Sequence, residues 1–400
     1  MRLCTVIKTA LRNCYKGKKV MITRIKSNKI ISENNLISGY VYFEDGIITE
    51  VSGKELPFDK EYDMTDFYVS PGFIDIHTHG GKGFDFINSE NDVIEGCNFH
   101  LKHGTTSICP TISAAPIEKM EKALEYISKA KKSESLKSNI IGAHMEGPYL
   151  SKEQCGAQCP DFITPPVRED YERIISTYKD VIARWTYAPE NDKNGEFCKA
   201  LTDNGIVASA GHTNAEYSHM KTAAENGCSL ITHLYSCTST VTRKQGFRYL
   251  GVIESAYLMD DLYVEIIADG KHLPPELISL ILKIKGTDKV ALITDSLSLA
   301  GTDEKHGFML DTEYIIEDGV CKLKDRSAFA GSIATADVLI KTLVNEVKIP
   351  IPEAVSMLTT VPAKIMNVRK GKLERGYDSD IVVFDDEINI RKVFVDGKEF

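Results

Sequence analysis

The chain reads as an α/β protein: a (β/α)8 TIM-type barrel joined to a small β-sandwich domain built from both chain ends. Three features predict this. Through residues 71–366, short apolar runs alternate with amphipathic stretches, as in TTSICPTIS followed by IEKMEKALEYISKAKKSES; about eight such β-then-α units close into a parallel barrel. Nearly every apolar run ends in a polar residue, at the place where barrel enzymes gather their chemistry. Both ends of the chain consist instead of β-rich runs and turns, which suits a separate sheet.

Taken in order, residues 1–20 are basic, and Lys8 and Arg12 break any apolar region. They make a poor signal peptide and are expected to be an extension upstream of a start at Met21. Residues 21–70 hold the strands MITRIKSNKII, GYVYFEDGIITEVSG and YDMTDFYVS, with a hairpin at the Glu44-Asp45-Gly46 turn. Residues 367–400 have the same character and carry an Asp-Gly turn at Asp396-Gly397, so the two segments are expected to pair into one small domain. Between them, helices are expected over NDVIEGCNFHLKHG, IEKMEKALEYISKAKKSES, AEYSHMKTAAENG and PPELISLILKIKG. The strands are TTSICPTIS, SNIIGAHMEGPYL, VIARWTYAPE, GIVASAGHT, SLITHLYS, DLYVEIIADGKHL and KVALITDSLSLAG. A doubly wound open sheet is the competing arrangement, but no GxGxxG follows an early strand.

Composition narrows the function. With 42% hydrophobic and 26% charged residues, the chain is an ordinary globular protein. A net charge of −9 with no long basic stretch in the body argues against a nucleic-acid partner. There is no apolar run of roughly 18 residues, so no membrane span is expected. The ten cysteines are scattered without zinc-site spacing, which favours reduced thiols in a cytoplasmic enzyme; Cys155 and Cys159 are a weak candidate metal pair. No GxSxG elbow or P-loop is present.

The chemistry concentrates at the strand ends. In FIDIHTH, Asp75, His77 and His79 are two apart and share a strand face, so two imidazoles point together into the barrel mouth. Glu146 ends GAHMEG, His212 ends SAGH and His233 ends LITH. Glu190, Asp269 and His272 occupy comparable places. One such residue is weak evidence, but five imidazole and carboxylate groups at matching positions make a ligand set for zinc, iron or manganese. Asp295 ends ALITD and can touch a metal and also accept a proton. A metal lowers the pKa of bound water from about 15.7 to about 7, which makes hydroxide available at neutral pH. An adjacent Asp then serves as general base and acid.

These residues carry a family resemblance. PGFIDIHTHG, with the later Glu, two His and Asp, is similar to the amidohydrolase superfamily. HGTTS, HMEGPYL, GAQ, AGHTNA, THLY, IIADGKHL, LITDS, FAGS and PAKIMNV, in that order from about Met21 to the end, resemble the N-acetylglucosamine-6-phosphate deacetylase family. The resemblance implies a hydrolase of a linear amide that converts N-acetylglucosamine 6-phosphate to glucosamine 6-phosphate and acetate, and a homodimer. It implies that Glu146, His212 and His233 hold the main metal and that Asp295 is the general acid/base. His77 and His79, which some relatives lack, imply one or two metals per subunit. Glu146 stands where more distant relatives use a carbamylated lysine.

For the phosphosugar, the resemblance implies contacts from Ala157, Gln158 and His272, with Phe329, Ala330 and Gly331 along the ligand. Arg243 of RKQG would hold the phosphate, often across the dimer interface, helped by Lys244 or Arg248. The chain departs from many relatives at THLYSC, where Ser236 and Cys237 replace an Asn and an Ala. Ser offers no amide, so a deacetylase for another N-acyl amino sugar is the alternative; a non-enzymatic barrel scaffold is a more distant one.

Overall fold

The computed structural model describes residues 21–400. The expected extension over residues 1–20 lies outside the described residues.

Eight strands form the barrel: Phe73–Thr78, Thr105–Ser113, Ala143–Glu146, Ile182–Tyr187, Val207–Ala210, Leu230–Ile231, Tyr263–Ile267 and Val290–Ile293. Neighbours pair in parallel in that order. The last strand meets the first where the Asp295 backbone N–H donates to the His77 carbonyl at 2.9 Å. The Thr294 hydroxyl donates to Asp75 at 2.6 Å beside it. The ring is thus closed at the residues the sequence singles out.

Strand alternation divides the core. On the seventh strand, Val264 and Ile266 join the large cluster between strands and helices, which includes Leu282 and Leu339. Ile267 takes the opposite face and joins a second cluster with Leu230, Ala291 and Ile293. That second cluster also takes in Ile74 and Ile76 of the first strand and Val361, Ala363 and Ile365 of the helix Thr360–Ile365. The helices begin and end on local signals. Glu90–Leu101 starts at Ser89, whose side chain accepts from the Asp92 N–H, and Pro275–Lys285 stops at Gly286, whose φ of 76° needs no side chain.

The second sheet takes strands Thr23–Ser32, Asn35–Glu44, Ile47–Ser52, Lys60–Asp63 and Tyr68–Pro71 from one end of the chain, and Ile381–Phe384, Ile390–Val395 and Lys398–Glu399 from the other. Ile25, Val41, Phe43, Val69, Ile381 and Phe394 make its apolar core. Both Asp-Gly turns form two-residue loops with positive φ at both positions: 47° and 80° at Asp45-Gly46, 48° and 73° at Asp396-Gly397. They sit side by side, since Ser379 N–H donates to the Gly46 carbonyl and Gly397 N–H to the Ser379 carbonyl.

Among the additions to the expected plan are two sheets. Strands His306–Met309, Thr312–Glu317, Val320–Leu323 and Phe329–Gly331 make a four-stranded antiparallel sheet after the eighth barrel strand. A short hairpin, Thr242–Lys244 with Phe247–Tyr249, follows the sixth. Among the described residues no helix is long and apolar enough to cross a membrane, and the eight described cysteines are free.

Candidate metal centre

The strand-end residues converge on one point. Glu146 Oε1 lies 3.1 Å from His233 Nε2, 3.2 Å from His212 Nε2 and 3.3 Å from His77 Nε2. Its Oε2 lies 3.2 Å from His79 Nε2. Asp295 Oδ1 is 3.4 Å from His77 Nε2 and 3.2 Å from His79 Nε2. The paired imidazoles bring their Nε2 atoms to 3.4 Å (His77 and His79) and 3.2 Å (His212 and His233). Two overlapping donor groups result, His77–His79–Glu146 and Glu146–His212–His233, with the glutamate common to both. Ligands about 2.0–2.1 Å from a tetrahedral ion stand about 3.3 Å from one another, so the spacing fits a metal. Cys155 and Cys159 belong to neither group.

Three of these residues adopt the left-handed backbone that side chains rarely occupy: His212 at φ 44°, His233 at φ 30° and Asp295 at φ 47°. Each ends its strand with a sharp turn, and the turn aims the side chain into the barrel mouth. His77 and His79 need no such turn. Asp75, expected on their face, engages Thr294 and stays out of the cluster.

Each imidazole has its other nitrogen held. Nδ1 of His212 faces the Gln154 carbonyl at 2.9 Å, and that of His233 the Ser236 carbonyl at 3.1 Å. Nδ1 of His79 faces the Ser113 hydroxyl at 3.0 Å, and that of His77 faces Glu265 at 3.5 Å. A carbonyl or carboxylate fixes the proton on Nδ1 and leaves the Nε2 lone pair free to donate to an ion, the usual support of metal-binding histidines. Gln158 donates from Nε2 to Glu146 Oε2 at 2.8 Å and accepts from the Ala114 N–H at 2.9 Å, which fixes the carboxylate.

The electrostatics favour a cation. Burial disfavours the charged imidazole, yet the Glu146 and Asp295 carboxylates overcome it and push His77 up to about 10. The same two groups push His79 up to about 9 against its burial. Burial raises the carboxyl groups of Glu146 and Asp295, but the imidazoles, His77 foremost, outweigh it and hold both below the usual carboxylate range. Carboxylates that draw protons onto buried histidines also draw a metal ion, which then displaces those protons.

A cavity of about 240 Å³ opens over the cluster. Ala157, Gln158, Ser236, Cys237, His272, Phe329, Ala330 and Gly331 line it, together with His79, Glu146, His212, His233 and Asp295. His272 is held by Asp269, whose Oδ2 lies 2.8 Å from its Nδ1, and stacks edge-on against Phe329 with ring centroids 5.0 Å apart. Glu190 has a structural part: it accepts from the Asn214 N–H at 2.6 Å and braces the loop after His212.

Arg243 lies elsewhere. It sits on the exposed hairpin with Arg248, outside this chain's cavity, and Lys244 pairs with Glu216. Tyr235 and Met309 also line the cavity, and neither is expected from the sequence. The amidohydrolase family model matches residues 68–400. The chain belongs to the amidohydrolase family.

Relatives of this amidohydrolase include the N-acetylglucosamine-6-phosphate deacetylase of Bacillus subtilis, 31% identical over 377 residues, covering 92% of this chain and 94% of the relative. The enzyme of that name from Haemophilus influenzae is 33% identical over 358 residues, covering 85% and 88%. In three dimensions, this amidohydrolase superposes on N-acetylglucosamine-6-phosphate deacetylase from Pasteurella multocida with a TM-score of 0.88, at 27% identity over 95% of this chain and 99% of that one. A Mycobacterium smegmatis variant of such a deacetylase, solved in complex with N-acetyl-D-glucosamine-6-phosphate, gives a TM-score of 0.87 at 24% identity, covering 96% and 99%.

Proposed function

We propose that this chain hydrolyses the acetamide of N-acetylglucosamine 6-phosphate to glucosamine 6-phosphate and acetate. The observation that carries the reading is Glu146, whose two oxygens reach four imidazole nitrogens at 3.1–3.3 Å in a cavity lined by the residues that resemble a phosphosugar site. Glu146, His212 and His233 would hold the main ion, zinc, iron or manganese, and His77 and His79 would help to hold a second. Bound there, such an ion would supply polarisation of the amide carbonyl and a water that is nucleophilic near neutral pH. Asp295 removes the proton from the attacking water and delivers it to the departing amine. His272, with Nδ1 held by Asp269, donates from Nε2 to the oxygen that gains charge. Gln158 and Ala157 seat the sugar, and Phe329, Ala330 and Gly331 cover it.

Arg243 sits on an exposed hairpin, so we assign it to the phosphate of a neighbouring subunit's substrate, in a cytoplasmic homodimer. We assign residues 21–70 and 367–400 to one small domain and 71–366 to the hydrolase barrel. Acetate release from N-acetylglucosamine 6-phosphate, measured with zinc, iron or manganese added to metal-free protein, tests the function. Absence of release with every metal removes it.

One observation favours a second substrate. Ser236 and Cys237 line the cavity at positions where the family resemblance implies Asn and Ala, and one relative, from Shewanella, is an N-acetylgalactosamine-6-phosphate deacetylase, 27% identical over 379 residues. Running both sugar phosphates side by side separates the two readings.

A further inference from the structure

A buried ion pair lies beneath the metal centre and has no part in the chemistry above. Arg184 on the fourth barrel strand and Glu265 on the seventh are both fully buried and pair directly. Glu265 Oε2 stands 3.3 Å from Arg184 Nη2 and 3.5 Å from His77 Nδ1. Arg184 also donates to the Ile76 carbonyl at 3.1 Å, to the Ser209 hydroxyl at 3.2 Å and to the Thr232 hydroxyl at 3.1 Å. Burying two charges costs about as much as their attraction returns, so such a pair is weak evidence of a stabilising device.

Its contacts point to one histidine. Arg184 grips the first strand one residue before His77, and Glu265 faces the ring nitrogen of His77 that turns away from the donor cluster. His144 closes the third side, packed edge-on against the ring with centroids 4.5 Å apart. His144 is itself fixed between Thr111 at 3.1 Å and Thr186 at 2.7 Å. His212 and His233 rely on main-chain carbonyls instead; Arg184 also reaches the residue before His233 through Thr232, but the carboxylate of the pair faces the imidazole of His77.

We propose that Arg184 and Glu265 are the positioning pair for the ion held by His77 and His79, which rests on the two-ion reading above. Glu265 accepts the Nδ1–H of His77 and thereby presents Nε2 toward Glu146 and Asp295. Arg184 holds that carboxylate in place and ties the strand at Ile76 to it. Loss of such a partner typically weakens metal binding by about 10–100-fold.

The test uses metal-free protein titrated with zinc against a competing chelator, with ions per chain counted and the cobalt-loaded absorption spectrum recorded. Two variants are compared with the wild type. Glu265→Asp keeps the charge beside Arg184 but withdraws it from His77, and Glu265→Gln keeps the shape but removes the charge. The wild type is expected to bind two ions. Both variants are expected to keep the tighter ion unchanged, to bind the other about 10–100-fold more weakly and to lose one of two cobalt signatures. A melting curve of the metal-free variants confirms that they are folded; Glu265→Asp, with its ion pair to Arg184 kept, is the one expected to melt like the wild type. A variant that takes up both ions with wild-type affinity overturns the positioning role. A wild type that binds only one ion overturns the two-ion reading and the positioning role with it, and the wild-type count alone tells these results apart.

Discussion

The two halves of the donor cluster are built by different means. His212 and His233 stand on left-handed backbone at strand ends, and the carbonyls of Gln154 and Ser236 orient them. His77 and His79 stand close together at the end of one strand, oriented by the side chains of Glu265 and Ser113. One half is set by how the chain turns, the other by which side chains stand behind it. Side chains can change without moving the backbone, so the His77–His79 half can be altered while the other keeps working. On the two-ion reading, side-chain substitution alone would then change the number of metals without disturbing the His212–His233 half.

Asp295 touches only the His77–His79 half by distance, yet it is expected to serve the reaction whichever positions are filled. Asp295→Asn is expected to keep the bound metal and lose turnover by about 10³-fold, within the range of a general acid/base. Steady-state rates and metal content on one preparation check this, and near-normal activity would remove Asp295 from its role. Next in size comes the contrast between the halves. His212→Asn is expected to release the main ion and abolish activity. The double variant His77→Asn, His79→Asn is expected to bind one ion per chain and retain measurable turnover. If elemental analysis finds both variants equally depleted of metal, the two halves form one indivisible site and the contrast fails.

Much of this was legible in the sequence, for a physical reason. Strand-end positions are fixed by the alternation of apolar runs, so His77, His79, Glu146, His212, His233 and Asp295 can be placed at one barrel mouth from the sequence. The Asp-Gly turns are equally local, since few other pairs of residues accept two positive φ angles in succession. What escaped depends on contacts between distant segments. Arg184 and Glu265 lie 81 residues apart and meet only once the barrel closes. Their one signal was a charge in the middle of an apolar strand, in VIARWTY and DLYVEII. The four-stranded sheet that brings Phe329 over the cavity escaped because its strands mix charged and apolar residues without clean alternation, as in TEYIIEDG. Arg243 was legible as a candidate, but its place on an exposed hairpin only a fold can show.

A smaller effect is expected at Ser113, which serves His79 as Glu265 serves His77. Its hydroxyl faces His79 Nδ1 at 3.0 Å, and Ser113→Ala removes that partner while leaving the strand intact. Affinity for the second ion is expected to fall roughly tenfold, the lower end for such partners, with the main ion unaffected. Chelator competition on the variant measures this. A loss shared equally by both ions would mean that the halves are coupled through Glu146 more strongly than their separate supports suggest.

The smallest effect concerns the cavity wall rather than the metals. Ser236 supplies its carbonyl to His233 and lines the cavity, so on the proposed function one residue would serve the main site through the backbone and the substrate through the side chain. Ser236→Asn changes only the second function, because the carbonyl belongs to the main chain whatever the side chain is. Metal content is therefore expected to stay at the wild-type value. The added amide is expected to contribute one more hydrogen bond to the sugar, about 1 kcal/mol or roughly a fivefold change in KM. The change should be larger for one of the two N-acetylhexosamine 6-phosphates than for the other, since their hydroxyls differ in direction. If metal content falls together with affinity, position 236 acts through His233, and the separation between a backbone-built metal site and a side-chain-built sugar site does not hold there.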